Sequence, residues 1–174
     1  MKGILLINLG TPDSPSTKDV RKYLREFLMD KYVIDLPYLY RWFLVNVIIA
    51  TFRAPKSAKI YQELWTENGS PLLFYGLKIE NLLQKLVGKD FYVRLAMRYQ
   101  SPAIKNVLKY FKEKGITDLT VLPLYPQYAS SSTKSSIEKV KTDLESLKYK
   151  PNVKFIENFV SNEGFTDLFA KLGL

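Results

Sequence analysis

The chain has 174 residues, which suits a single domain over 1–174, and is 47% hydrophobic, enough to build a core. It has no cysteine, which excludes disulfides, thiolate nucleophiles and cysteine metal sites, and no histidine, which removes imidazole as a metal ligand and as a base near neutral pH. A formal charge of +9 suits anionic partners, from nucleic acid and anionic lipid to a carboxylated or phosphorylated ligand, or is merely a basic surface.

Ile4 to Asn8 is apolar throughout, as a parallel strand buried on both faces must be. The N-terminal stretch is too short for a signal peptide. Gly10 to Pro15 reads as a loop. Ser16 caps a helix, with Asp19 three positions on as a variant of the capping box. Val20, Tyr23, Leu24, Phe27 and Leu28 form its apolar stripe. Asp35 to Phe52 is almost wholly apolar, with Pro37 near a helix start and Arg41 and Asn46 as interruptions. It is shorter than the roughly 20 residues that cross a bilayer. It reads either as a buried helix or as a helix in a membrane interface. In the second case Tyr40 and Trp42 sit at headgroup level, with Arg41 and Arg53 on lipid phosphates.

Ser57 to Trp65 reads as a helix, Thr66 to Pro71 as a turn, and Leu72 to Val87 as a long helix stopped by Gly88. Phe91 to Met97 reads as a strand that delivers Arg98 and Tyr99 to its carboxyl end. Ser101–Pro102 reads as a cap with proline at the first helical position. That helix carries Ile104, Val107, Leu108 and Phe111, and Gly115 ends it. The next strand, Leu119 to Leu124, is stopped by Pro123 and Pro126, which have no N–H to donate. A hydroxyl run from Ser130 to Ser136 follows, then a helix with Ile137, Val140, Leu144 and Leu147 at helical spacing. Val153 to Ile156 reads as a fourth strand. Ser161 or Asn162 caps a last helix through Leu172, which stops about two residues past its apolar face, as a fragment would.

This alternation predicts an α/β fold: a four-stranded parallel sheet with right-handed crossovers and helices on both faces. Such sheets bind ligands outside the carboxyl ends of their strands. Three loops should meet there: Leu9 to Asp13, Arg98 to Ser101 and Tyr125 to Ser136. Arg98 presents a planar fork suited to a carboxylate, or else serves as a helix-cap or ion-pair arginine. The hydroxyl run could hold a phosphate at a helix N-terminus, or simply cap the helix. No glycine-rich phosphate loop and no Gly-x-Gly-x-x-Gly is present, which weakens a nucleotide or flavin reading. Glu63, Glu67 and Asp13 are too scattered to form a hydrolytic pair, and RNA-recognition signatures are missing.

Several stretches carry a family resemblance. They are Asn8-Leu-Gly-Thr-Pro, Val20 to Asp30, Val33-Ile-Asp-Leu-Pro37, Arg53-Ala-Pro-Lys-Ser-Ala, Ile60-Tyr61, Trp65-Thr-Glu-Asn-Gly-Ser-Pro-Leu72, Ala96-Met-Arg-Tyr99 and Leu122-Pro-Leu-Tyr-Pro-Gln-Tyr128. In this order they resemble the ferrochelatases, which insert ferrous iron into a porphyrin in haem biosynthesis. The resemblance implies a flavodoxin-like fold and covers the first of two halves, with the porphyrin cleft between them. It implies that the helix after Asp35 is the hydrophobic lip, about 35–55. Leu9 falls over the porphyrin face; Arg53, Tyr61 and Ser70 lie near the propionates. Arg98 and Tyr99 are the cleft pair; Gln127, Tyr128, Ser130, Ser132 and Thr133 form the polar loop near the macrocycle. Lys134 and Ala129 depart from the glycine and serine of many members. The implied substrates are ferrous iron and protoporphyrin IX or coproporphyrin III, with no bound cofactor required. The implied partners are the porphyrin and a second half or a second copy, not nucleic acid. The implied location is cytoplasmic, with peripheral membrane contact through the lip. The family's catalytic histidine belongs to the second half, so this half contributes no catalytic residue. Outside the family, a flavin- or nucleotide-binding module is the rival reading.

Overall fold

The computed structural model describes residues 1–173; Leu174, the end of the expected domain, lies outside the described residues. Strands β1 (Lys2–Gly10), β2 (Phe91–Tyr99), β3 (Asp118–Pro123) and β4 (Asn152–Phe155) form one parallel sheet in the order β2-β1-β3-β4. This is the flavodoxin-like winding, in which the first strand lies at the centre. The central position explains the apolar run: Leu5, Leu6 and Ile7 are fully buried. The ladder extends past that run, pairing Lys2 with Phe91 on one side and Asp118 on the other.

Each face carries helices. On one, Leu5, Ile7, Ala96 and Val121 pack with α5 (Ile104–Glu113) and α6 (Ser135–Ser146) through Leu108, Phe111 and Val140. On the other, Leu6, Val93, Leu95 and Met97 pack with α4 (Pro71–Val87) through Leu73, Leu83 and Val87. Gly76 permits that approach, since a Cβ there would lie 2.7 Å from Leu95 Cδ2. α4 also closes the free edge of β2. Gln84 Oε1 accepts from Val93 N–H (2.9 Å) and Glu80 Oε2 from Leu95 N–H (2.6 Å). Met97 N–H goes to Pro102 O at 2.7 Å. Unpaired edge amides invite pairing with other chains, and here they are occupied by side chains and a turn.

α1 (Thr17–Leu28) begins at Ser16, whose hydroxyl accepts from Asp19 N–H at 3.2 Å. Asp19 turns to Ser14 Oγ (2.6 Å), so the capping box is half formed. The lip is helical from α2 (Tyr38–Phe43) through a π-helical stretch, Leu44–Arg53, into α3 (Ala54–Leu64). The buried-helix reading of the lip does not hold: Arg41, Val45 and Ala50 face inward, while Leu39 is 77% and Phe52 70% exposed. Arg41 is the wrong residue for lipid phosphates, because its Nη1 donates to the Ile34 and Leu36 carbonyls (3.0 and 3.2 Å). Among the described residues no helix is long and apolar enough to cross a membrane.

Two other local expectations are corrected. Ser101–Pro102 is a cis turn ahead of α5, whose N-cap is Ala103. The hydroxyl run is not a loop, because Ser130–Lys134 is a π-helical turn that leads directly into α6. α7 (Glu163–Lys171) is capped by Asn162, with Oδ1 accepting from Phe165 N–H at 3.2 Å.

Candidate functional site

In a sheet of this order the crossover direction reverses between β1 and β3, and the crevice lies at their carboxyl ends. β1 ends there in Gly10, whose φ is +119° and whose Cβ, if it had one, would stand 2.1 Å from the Tyr99 carbonyl oxygen. A residue without a side chain is required where two strand ends pass this closely. Beside it a cleft of about 280 Å³ is lined by Leu9, Thr11, Tyr23, Tyr61, Trp65 and Ser70, among others. A second cleft of about 420 Å³ shares Thr11, Trp65 and Ser70 and runs on to Asp13, Asn68 and Ser101. Of the residues expected from the sequence, Leu9, Tyr61 and Ser70 therefore converge. Arg53 is exposed where the π-helical stretch meets α3, the helix that carries Tyr61.

The cleft walls are apolar and aromatic, with a few hydroxyls. Tyr23 and Tyr61 meet edge to face, ring centroids 6.2 Å apart. Burial pushes both phenols above the ordinary tyrosine range, so both stay protonated at neutral pH. Such a surface suits a flat apolar ligand with polar edges.

Arg98 and Tyr99 lie deeper. Arg98 Nη2 donates to Asp30 Oδ2 (2.5 Å) and Nε to Ser135 Oγ (2.7 Å), with its guanidinium over the Tyr99 ring at 4.5 Å. Tyr99 Oη donates to the same Asp30 oxygen (2.8 Å), and its pKa is raised chiefly by burial. Burial raises the Asp30 pKa too, but donation from Ser135, the Tyr32 N–H and Tyr99, with the Arg98 charge, holds it below the usual carboxylate range.

Past β3, Gln127, Tyr128 and Ser130 are exposed, Ser132 is half-buried, and Thr133 is fully buried with its hydroxyl 3.5 Å from Gln127 O. Ser135 and Ser136 are buried as well. The hydroxyls therefore do not form a single anion cradle, because the helix rotates successive side chains to different sides. Burial pushes Tyr125 up to about 12. Lys134 lies over the Tyr32 ring at 5.4 Å. Among the described residues no group of three or more aspartates or glutamates could hold a metal ion.

Thr11, Trp65 and Asp30 were not among the residues singled out. All three sit inside the stretches that carry the resemblance, but hydrophobic periodicity gives an isolated polar or aromatic residue no role.

The order of the strands, with clefts at the carboxyl end of β1 that run toward the turn after β2, defines a flavodoxin-like α/β domain; no residue of β3 or of the loop after it lines either cleft. The chain belongs to the ferrochelatase family, whose family model matches residues 1–173. It is 43% identical over 171 residues to the ferrochelatase of Legionella pneumophila (strain Corby), covering 98% of this chain and 51% of that protein. To the ferrochelatase of Coxiella burnetii (strain Dugway 5J108-111) it is 50% identical over 139 residues, 80% of this chain and 39% of the relative. To that of Alcanivorax borkumensis it is 44% identical over 161 residues, 90% and 47% respectively. The chain spans about half the length of the curated relatives it matches.

Proposed function

We propose that this chain forms one wall of a porphyrin cleft in a ferrochelatase, and that it inserts ferrous iron when a second half, or a second copy, closes that cleft. The observation that carries the reading is the meeting of Leu9, Tyr61 and Ser70 in one cavity at the end of β1. The resemblance puts Leu9 over the porphyrin face and Tyr61 and Ser70 near the propionates. Leu9 and Trp65 offer apolar surface to the ring, and the Tyr61 and Ser70 hydroxyls serve its polar edge. Arg53, exposed nearby, supplies the charge for a propionate. Gln127, Tyr128, Ser130 and Ser132 approach from the β3 side, with Thr133 tying their backbone through Gln127 O. The exposed aromatic lip, with Tyr40, Trp42 and Phe43, makes peripheral contact with a membrane surface and gives a cytoplasmic protein a membrane-side porphyrin mouth.

Metal insertion must release two pyrrole protons, and a base must take them. Tyr23, Tyr61 and Tyr99 all have pKa values raised by burial, so they supply even less phenolate at neutral pH than a free phenol would. With no histidine in the chain, that duty falls to the second half, where the resemblance puts the catalytic histidine. What this half supplies is binding energy, which is useful to the reaction where it favours a bent macrocycle over a flat one.

The test is a titration of the protein with porphyrin followed by the Soret band. A saturable shift is expected, and it should weaken in Leu9→Asp and Tyr61→Ala. No shift at high micromolar protein would sink the porphyrin reading. Iron insertion by this chain alone would overturn the need for a second half.

A further inference from the structure

The Asp30 carboxylate gathers four donors from β2, α6 and its own turn after α1. Oδ2 accepts from Arg98 Nη2 (2.5 Å), Tyr99 Oη (2.8 Å) and Ser135 Oγ (2.5 Å), and Oδ1 from the Tyr32 N–H (2.8 Å). Ser135 in turn accepts from Arg98 Nε, on Oγ at 2.7 Å and on its carbonyl at 3.2 Å. The side chains of Asp30 and Arg98 are 4% and 13% exposed. The end of α1, the end of β2 and the start of α6 are thus fastened at one carboxylate. Arg98 opens onto a small cleft of about 220 Å³, lined with Asp30, Lys31, Tyr32, Glu138 and Lys139. That cleft shares no lining residue with the two around Thr11 and Ser70.

We propose that Asp30 is a positioning residue that commits Arg98 to the interior, so that Arg98 holds the cleft wall in place and does not bind a ligand carboxylate. A guanidinium whose charge is already matched at 2.5 Å has little left to offer a second anion. Arg98 acts through Asp30 on Tyr99 and on the turn that presents Gln127 to Ser132. The ligand's carboxylates are left to cations outside this network. The consequence for the substrate rests on the porphyrin reading; the network itself does not.

Two measurements test this. The first compares a porphyrin dicarboxylate with its dimethyl ester by Soret titration. Arg98→Met should weaken both, leaving their affinity ratio within about twofold of wild type. A loss confined to the free acid of about tenfold or more, one charge-assisted hydrogen bond, would overturn the proposal. Asp30→Asn should release Arg98 and raise the preference for the acid, and Arg98→Met in the same chain should abolish that gain. A fold defect alone would not move this ratio. The second measurement needs no porphyrin. In the NMR spectrum of the wild-type protein, the Arg98 Nε–H, assigned by its loss in Arg98→Lys, should be protected from water exchange. It should lose that protection in Asp30→Asn. Rapid exchange in the wild type would overturn the proposal even if porphyrin binds, and protection without porphyrin binding would sink the function but not the network. Should Asp30→Asn fail to fold, the wild-type exchange still decides.

Discussion

Asp30 makes the stability of this domain depend on pH in a definite direction. Its folded pKa lies below the ordinary value of 3.8. A carboxyl depressed in this way stabilises the fold fully above its unfolded pKa, and that contribution is lost as pH falls through the folded value. Acid sensitivity should therefore set in below about pH 4. At pH 7, Asp30→Asn should cost about 3–5 kcal/mol, since it leaves the Arg98 charge buried without its partner. Urea melts at pH 7 and pH 3 check both statements: the variant should lose less than wild type between the two, and an equal loss would remove Asp30 from the acid transition. Gly10 sets the other narrow tolerance. Gly10→Ala brings a methyl into the Tyr99 carbonyl at a positive φ, and should cost at least about 2 kcal/mol by denaturant unfolding.

At the level of elements, β2 and the lip handle exposure in opposite ways. The free edge of β2 is closed by side chains of α4, so Glu80→Ala strips a partner from Leu95 N–H and should cost about 1–3 kcal/mol. Faster amide exchange at Leu95 would report it; unchanged exchange would mean that the edge is protected by something else. The lip leaves its apolar side open. Trp42→Ala with Phe43→Ala should change stability by no more than about 1 kcal/mol while lowering binding to anionic vesicles. Vesicle binding that survives the pair would argue against an interfacial lip. The period of the apolar residues made the four strands and most helices legible, because a buried parallel strand and an amphipathic helix leave different spacings. It could not place the lip, since a helix apolar on nearly every side looks the same whether its cover is its own core or something else. Nor could it show that Ser130 to Ser136 coil into a helix, or that Arg98 turns to Asp30, because both depend on contacts remote in sequence. Leu9, Tyr61 and Ser70 were found through motifs, not through any pattern that a cavity imposes on sequence.

For the whole molecule, α4 meets the clefts only at its start, through Pro71 to Leu73, and carries an exposed apolar side along the rest of its length. Tyr75, Leu82 and Leu86 of α4 are more than half exposed, an unusual surface for a helix that also packs on a sheet. Leu82→Lys with Leu86→Glu should leave the unfolding free energy within about 0.5 kcal/mol, because those side chains touch little of the core. A large loss would show that they are part of it. The central place of β1 also sets a timetable. Its first lateral partner is β2, with Lys2 opposite Phe91, so the strand pairs with chain made about 90 residues later. At translation speeds of about 5–20 residues per second, the nascent chain carries an unpaired apolar strand for several seconds. Leu5, Leu6 and Ile7 would stay accessible to chaperones throughout that interval, and the strand on which the cleft is built would be the first made and among the last to be enclosed.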